Sequence, residues 1–368
     1  LKRQGTNQYK LIYRVKESTR AFIKGALHYD NQRGAGLILN TTFRNYLIQD
    51  SRFNITANIA ENPGIRANIY QYFGKRQNFM GRYLFLLERS DLPVFYEGDD
   101  VGNFLYQSLQ AGVGLGYNFN INRQIGLDLF YGKSSIFPGD AVQTIIPSAN
   151  FENYKLGGFT LRAFYEYNTL NDYYFPTKGV KIKSIFQRTF QPISSYSIEE
   201  DQSLDEQIFG LNLDPFNNFY FQVENYTPVG DLFSFKLGSS IGLSSTKTPI
   251  TSHYAVGGVM PENNFKYQNF SGFTFGEQIS PNYLKINGMA NFHVNPRIFL
   301  TLSGDIGIFP DKPNQVYSDL IHSRWADFVK GYAVGLRFNS ILGPLTFMVG
   351  DINTSNHLSW YLNLGYTF

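Results

Sequence analysis

Apolar residues recur at every second position over long stretches of this chain. Leu358, Trp360, Leu362, Leu364, Tyr366 and Phe368 alternate with Ser359, Asn363, Gly365 and Thr367, broken once by Tyr361. Leu109, Ala111, Val113, Leu115, Tyr117 and Phe119 alternate with Gly112, Gly114, Gly116 and Asn118. Ile298 to Ile308 and Tyr332 to Phe338 repeat the pattern. A period of two puts one set of side chains on each face of a β-strand, and glycine inside the runs argues against helix. The pattern predicts sixteen strands, near 21–30, 34–43, 51–60, 64–73, 78–87, 106–119, 122–132, 155–167, 178–190, 214–226, 230–243, 281–293, 297–308, 330–340, 343–351 and 358–368.

The connections alternate in length. Gly74 to Gln77, Asn120 to Ile121, Thr227 to Val229, Val294 to Pro296 and Ile341 to Leu342 are tight. Glu88 to Leu105, Lys133 to Tyr154, Gln191 to Leu213, Ser244 to Ser280 and Phe309 to Val329 are long. An even strand count with short turns on one side and long loops on the other is the signature of a transmembrane barrel. The expected fold is therefore all-β: a 16-stranded antiparallel transmembrane β-barrel over residues 20–368, both termini in the periplasm. Its long sixth extracellular loop, 244–280, is expected to enter a wet lumen lined by Gly112, Gly114, Gly116, Asn118, Arg337, Asn363 and Thr367. Residues 1–19 are expected to be the end of a periplasmic domain or a linker, with upstream residues missing.

Composition supports this. The chain holds 26 Tyr and 34 Phe, yet its mean hydropathy is only -0.25. No apolar run is long enough for a membrane helix, whereas a barrel wall needs only alternate residues to be apolar. A soluble sandwich or propeller would alternate too, but would leave too much apolar surface in water. A net charge of +3 with scattered cations gives no reason to expect nucleic acid. With no Cys there is neither a disulfide framework nor a thiolate metal site.

Site chemistry is sparse. Gly238-Ser239-Ser240-Ile241-Gly242 has the form of a nucleophile elbow, but it continues the alternating run from Phe233 and lacks the strand-turn-helix setting. His28, His253, His293, His322 and His357 are scattered, and Asp99, Asp100 and Asp140 fall in loops where carboxylates are ordinarily solvated. No catalytic residue, metal site or cofactor is expected. Trp360, Tyr366, Phe368, Phe175, Tyr173 and Tyr174 lie near strand ends, where rings favour the headgroup layer.

Three segments resemble the Omp85 superfamily, barrels that insert, translocate or anchor proteins at the bacterial outer membrane. Tyr165 to Gly179 carries Phe175-Pro176-Thr177-x-Gly179, similar to the family's periplasmic turn before a barrel strand. Gly257-Gly258 and then Phe270-Ser271-Gly272-Phe273 fall where the family has its sixth-loop motif. Gly335 to Leu345 leads to the closing strand, whose Trp360, Leu364, Tyr366 and Phe368 resemble a C-terminal assembly signal.

The resemblance implies outer-membrane location, lipid and lipopolysaccharide surroundings, and the barrel assembly machinery as a partner during biogenesis. One position departs from the family pattern: Ser271 stands where the family has arginine, with Lys266 or another cation as the candidate substitute. A serine lacks the guanidinium fork. That departure favours patatin-like outer-membrane proteins, with this barrel anchoring and exporting an upstream patatin-like domain that would hold any lipase activity. The alternatives are an insertase or translocase whose first-to-last strand seam templates clients by edge pairing, and a transport channel or structural subunit of a surface or secretion complex.

Overall fold

The computed structural model describes residues 2–3, 9–10, 19–46, 48–96, 99–145, 151–197, 213–245, 247–259, 264–322, 327–354 and 358–366. Sixteen antiparallel strands close into one barrel. They are β1 Ala21–Asp30, β2 Gly34–Arg44, β3 Ser51–Ala60, β4 Gly64–Phe73, β5 Phe79–Tyr96, β6 Asp99–Asn120, β7 Arg123–Pro138 and β8 Asn153–Asn168. The second half is β9 Gly179–Ser197, β10 Phe216–Val229, β11 Phe233–Ser244, β12 Tyr283–Asn295, β13 Ile298–Ile308, β14 Val329–Ser340, β15 Gly343–Ile352 and β16 Ser359–Gly365.

The alternation read from sequence is the division between outside and inside. Ile23, Leu27, Ile59, Val113, Leu115, Leu127, Leu237, Leu302, Val334 and Trp360 are exposed on the outer wall, while their neighbours Asp128, Ser240, Thr301 and Asn363 are buried within. A closed wall with an apolar exterior satisfies its backbone internally, as a bilayer requires. Aromatic pairs such as Phe79–Tyr117, 4.8 Å between centroids, ring the rim carrying the short turns.

Glu88 to Leu105 differs from the expected loop. β5 and β6 run 18 and 22 residues and pair out to Tyr96↔Asp99. A tilted spanning strand needs only about 9–11 residues, so this hairpin, with β7 to β9, rises past the apolar belt. The same extension leaves only 139–152 of the expected loop from Lys133 to Tyr154. Its extra length rests on a local core of Val94, Ile136, Val142, Phe151, Tyr154, Leu156 and Phe216, with the helix Asp140–Ile145 laid against β6. At the other end, β16 stops at Gly365; Thr367 and Phe368, expected to continue it, lie outside the described residues. Near the N-terminus Lys2–Arg3 pairs antiparallel with Tyr9–Lys10 in a separate sheet.

Candidate functional site

Two features of the barrel are built for more than wall. The first is the loop 245–282, the sixth on the long-loop rim. Its segments Tyr254–Val256, Tyr267–Gln268 and Gln278–Ser280 form a small three-stranded sheet. Tyr254, Val256, Phe265, Phe270 and Phe273 pack with the inward wall residues Ile185, Tyr220, Tyr283 and Ile352. Tyr254 is fully buried and its hydroxyl donates to the Phe219 carbonyl at 2.8 Å. Burying this much aromatic surface offsets the ordering cost of a long loop.

The tip Phe270-Ser271-Gly272-Phe273 docks on the inner faces of β13 to β15. Ser271 N–H donates to Asp305 Oδ2 at 2.9 Å, and its hydroxyl bonds Ser303 Oγ at 2.8 Å. Gly272 has φ +90°, and any Cβ there would strike the Asp351 carbonyl and Ile352, so only glycine fits. The position expected to need a cation is thus filled by a small hydroxyl, and the cation sits in the wall. Lys285 of β12 lies 4.0 Å from Asp305 and donates to the Asn269 carbonyl.

Lys266, the candidate substitute, is elsewhere: its ammonium donates to the Thr251 carbonyl at 3.0 Å. Burial, with the Arg162 guanidinium beside it, pushes Lys266 down to about 8, against the pull of Glu88. Nearby in the loop, His253 bonds the Thr248 carbonyl at 2.9 Å. Burial pushes its imidazole down to about 4, despite that carbonyl.

The short-turn rim holds a second plug. Phe175 is buried, stacked on Phe299 at 5.4 Å, and Arg337 lies over its ring at 4.9 Å. This corrects its assignment to the headgroup layer: the turn folds it into the lumen. Asn171 pins the turn by accepting the Thr177 and Lys178 amides at 3.0 Å each. Gly179 takes φ +115° directly after Lys178, opening β9. Tyr366 lies beside the same turn, its ring 5.6 Å from Tyr174.

The second feature is the β1–β16 seam. Among the described residues, only Asn363↔Asp30, Leu364↔Tyr29 and Gly365↔His28 are in register. Gly365 has φ +109° and presses against the Leu27 carbonyl, where a side chain has no room. Toward the long-loop rim, one backbone bond, from Asn31 N–H to the Leu362 carbonyl at 3.1 Å, and several side-chain bonds continue the closure. Tyr361 donates from its hydroxyl to Asp30 Oδ2 at 3.0 Å, and the Asn31 side chain accepts from Leu362 N and donates to the Trp360 carbonyl. The sixth loop joins this latch: Phe275 N donates to Gln32 Oε1 at 3.1 Å, and its ring packs with Tyr361. Toward the short-turn rim, residues 21–27 of β1 pair with β2 alone among the described residues. Neither the Tyr361–Asp30 bond nor the Asn31 clamp is legible in the sequence, although Tyr361 is the residue that breaks the polar face.

The remaining candidates do not assemble into chemistry. Gly238 to Gly242 lies within β11, paired on both sides, so Ser240 is a wall residue. Among the described residues, no three His, Asp or Glu come together as a metal-binding group. His28 and His293 bond Asn58 and Ser234 respectively, and His357 lies outside the described residues.

The comparisons with known proteins bear on the fold and the family. No curated protein matches the sequence. Among solved structures, the barrel is similar to BamA from Haemophilus ducreyi lacking POTRA domains 1–3, with a TM-score of 0.68 at 13% identity, covering 96% of this chain and 71% of that one. CdiB from Escherichia coli gives 0.59 at 12% identity, over 96% of this chain and 64% of that one. CdiB from Acinetobacter baumannii gives 0.55 at 11%, over 95% and 60%. Identities this low speak to fold alone. The family model described as the OMP85 superfamily matches residues 142–368, more than half of the chain and the stretch holding both the docked loop and the closing strand, and the chain belongs to that superfamily.

Proposed function

We propose that this outer-membrane barrel is an insertase or translocase, in which the β1–β16 seam presents a strand edge to a client polypeptide. The observation that carries the reading is the contrast in pairing. Every other neighbouring pair is zipped along most of its shared length, whereas among the described residues 21–27 of β1 have no partner on β16. An unpaired edge is a template for a further strand, and strand addition is how such edges bind extended peptides. Among the described residues the docked loop meets the seam near the long-loop rim, which leaves the opposite end free to open without undocking it. Anchoring of an upstream patatin-like domain draws no support from the BamA and CdiB folds, and nothing in the seam requires it.

The absence of cysteine makes the test clean. Tyr29 and Leu364 are register partners, and opposite Cα atoms in an antiparallel pair lie about 4.5–5.5 Å apart, within disulfide range. The Tyr29→Cys/Leu364→Cys protein, oxidised, should lose the ability to fold an added outer-membrane barrel precursor in proteoliposomes, and reductant should restore it. A Val349→Cys/Trp360→Cys staple across β15 and β16 should be harmless. Full activity with the seam stapled shut would remove the reading and leave an anchoring role better placed.

A further inference from the structure

The inner wall of β1 to β4 carries charge in a way the rest of the lumen does not. Elsewhere, several inward cations have carboxylate partners: Arg82 lies 3.4 Å from Asp128, Lys181 and Lys236 share Glu224, and Lys285 faces Asp305. Beside the seam, Lys24, Arg44, Arg52 and Arg66 line one cavity of about 340 Å³ that no carboxylate lines. Glu88 lines a neighbouring cavity with Arg66 and does not reach this one. Among the described residues none of the four is in an ion pair.

The arrangement is costly as it stands. Arg44 and Arg52 are direct cross-strand partners on the same inward face. Like charges set opposite one another across a sheet are destabilising. Arg52 Nε is moreover buried without an acceptor. The polar residues between the cations are already committed to one another: Asn40 donates to Asn54 Oδ1 at 2.8 Å and to Thr56 Oγ1 at 2.7 Å. Those bonds hold the floor rigid and leave the heads of Lys24, Arg44 and Arg52 without a carboxylate in the cavity, while Arg66 also faces Glu88 across the neighbouring one. Lys24 and Arg44 both rest over the Phe22 ring, at 5.5 and 5.6 Å, which gathers their charges on one side of the cavity.

The structure assigns to this wall a binding site for a phosphate-class anion. Guanidinium forks match phosphate oxygens two at a time, and an anion between Arg44 and Arg52 turns their repulsion into shared attraction. Lys24 and Arg44 are exposed, so the site is reachable from the lumen. It also lies directly behind the β1 edge that lacks a β16 partner, where a lipid headgroup could enter from the bilayer. A soluble phosphate and an anionic phospholipid headgroup present the same chemistry here.

Inorganic pyrophosphate titrated calorimetrically into the full chain, held in zwitterionic phosphatidylcholine nanodiscs, tests the site. Saturable binding is expected, weakened at least tenfold in Arg44→Gln/Arg52→Gln and unchanged in Arg123→Gln, an exposed cation on the short-turn rim. Heat-modifiable gel mobility confirms that each variant is folded; should the double variant fail it, Lys24→Gln/Arg66→Gln takes its place. Native mass spectrometry from nanodiscs containing phosphatidylglycerol then separates the sources. Phosphatidylglycerol retained by the native chain and lost from the variant identifies a headgroup site. Pyrophosphate binding without lipid retention identifies a soluble anion. Absence of both, or binding that ignores the substitutions, overturns the assignment.

Discussion

The barrel is closed in two unlike ways. Around β12 to β15 the wall is zipped continuously and carries the loop tip on its inner face, with Ser271, Asp305, Ser303 and Lys285 bonded into one buried group. At β1–β16, among the described residues, three register pairs, one further backbone bond from Asn31 to Leu362 and a handful of side-chain bonds do the same work. Backbone ladders resist opening as a unit. Side-chain latches made of Tyr361, Asn31 and Gln32 can be released one at a time, each at a modest cost. The contrast teaches that the barrel concentrates its stability where the loop docks and holds less of it at the β1–β16 seam.

Removing Asp305 should break the strong side hardest. Asp305→Ala takes away the acceptor of the Ser271 amide and leaves the Lys285 ammonium buried without its carboxylate. Stripping one partner from a buried pair ordinarily costs about 3–5 kcal/mol. The expected outcome is an undocked loop, seen as new protease cleavage within 264–280, in a barrel that still shows heat-modifiable mobility. A loop that stays protected would mean that the aromatic packing of Phe270 and Phe273 holds it alone. Replacing Lys285 with Met in the same protein should recover part of the loss, because the stranded charge goes with it.

The weak side should yield to a single atom. Tyr361→Phe deletes the hydroxyl that donates to Asp30 while keeping the ring against Phe275. Asp30 retains the amides of Gln32 and Arg33 on its other oxygen. The loss should therefore be about 1.5–3 kcal/mol, that of one hydrogen bond to a charged group. In the Tyr29→Cys/Leu364→Cys background, oxidation to the disulfide should slow measurably as the two strands spend more time apart. An unchanged rate would show that Asn31 alone maintains the register.

Most of the strong side could be read from the sequence, and little of the weak side could. Alternation is a local property repeated sixteen times, so strands such as 51–60 and 64–73 coincide with those observed. The projecting β5–β6 hairpin was missed because Ser90 to Phe104 carries polar residues on both faces once it leaves the bilayer. With no lipid-facing side, period two fades although the ladder continues. In the site, the glycines and aromatics of the loop motif could be placed by resemblance, and the structure puts Phe270, Ser271, Gly272 and Phe273 together on the wall. That Lys285 rather than Lys266 faces Asp305 depends on how a long loop threads the lumen. Asn31 and Trp360 are 329 positions apart, and no sequence period links them.

The smallest expected effect tests whether the docked loop responds to acidity while the seam does not. His253 is buried in the loop with its imidazole pushed down to about 4 by burial, against an ordinary value of 6.5. A base whose folded value is lowered stays neutral in the docked state, while the undocked loop takes up a proton once the pH falls below about 6.5. Docking is therefore fully favoured above that value and weakens progressively as the pH falls toward 4. At pH 6 the loss should be under about 1 kcal/mol, growing as acidity rises. Protease nicking of the loop, measured between pH 7.5 and 5, should accelerate in the native chain and stay flat in His253→Gln, which cannot titrate. The oxidation rate of the seam cysteine pair, corrected for thiolate fraction with a β15–β16 pair as reference, should be insensitive over the same range. If both respond together, the loop and the seam open as one unit, and the latch at Gln32 and Phe275 couples them more tightly than one hydrogen bond and one ring contact suggest.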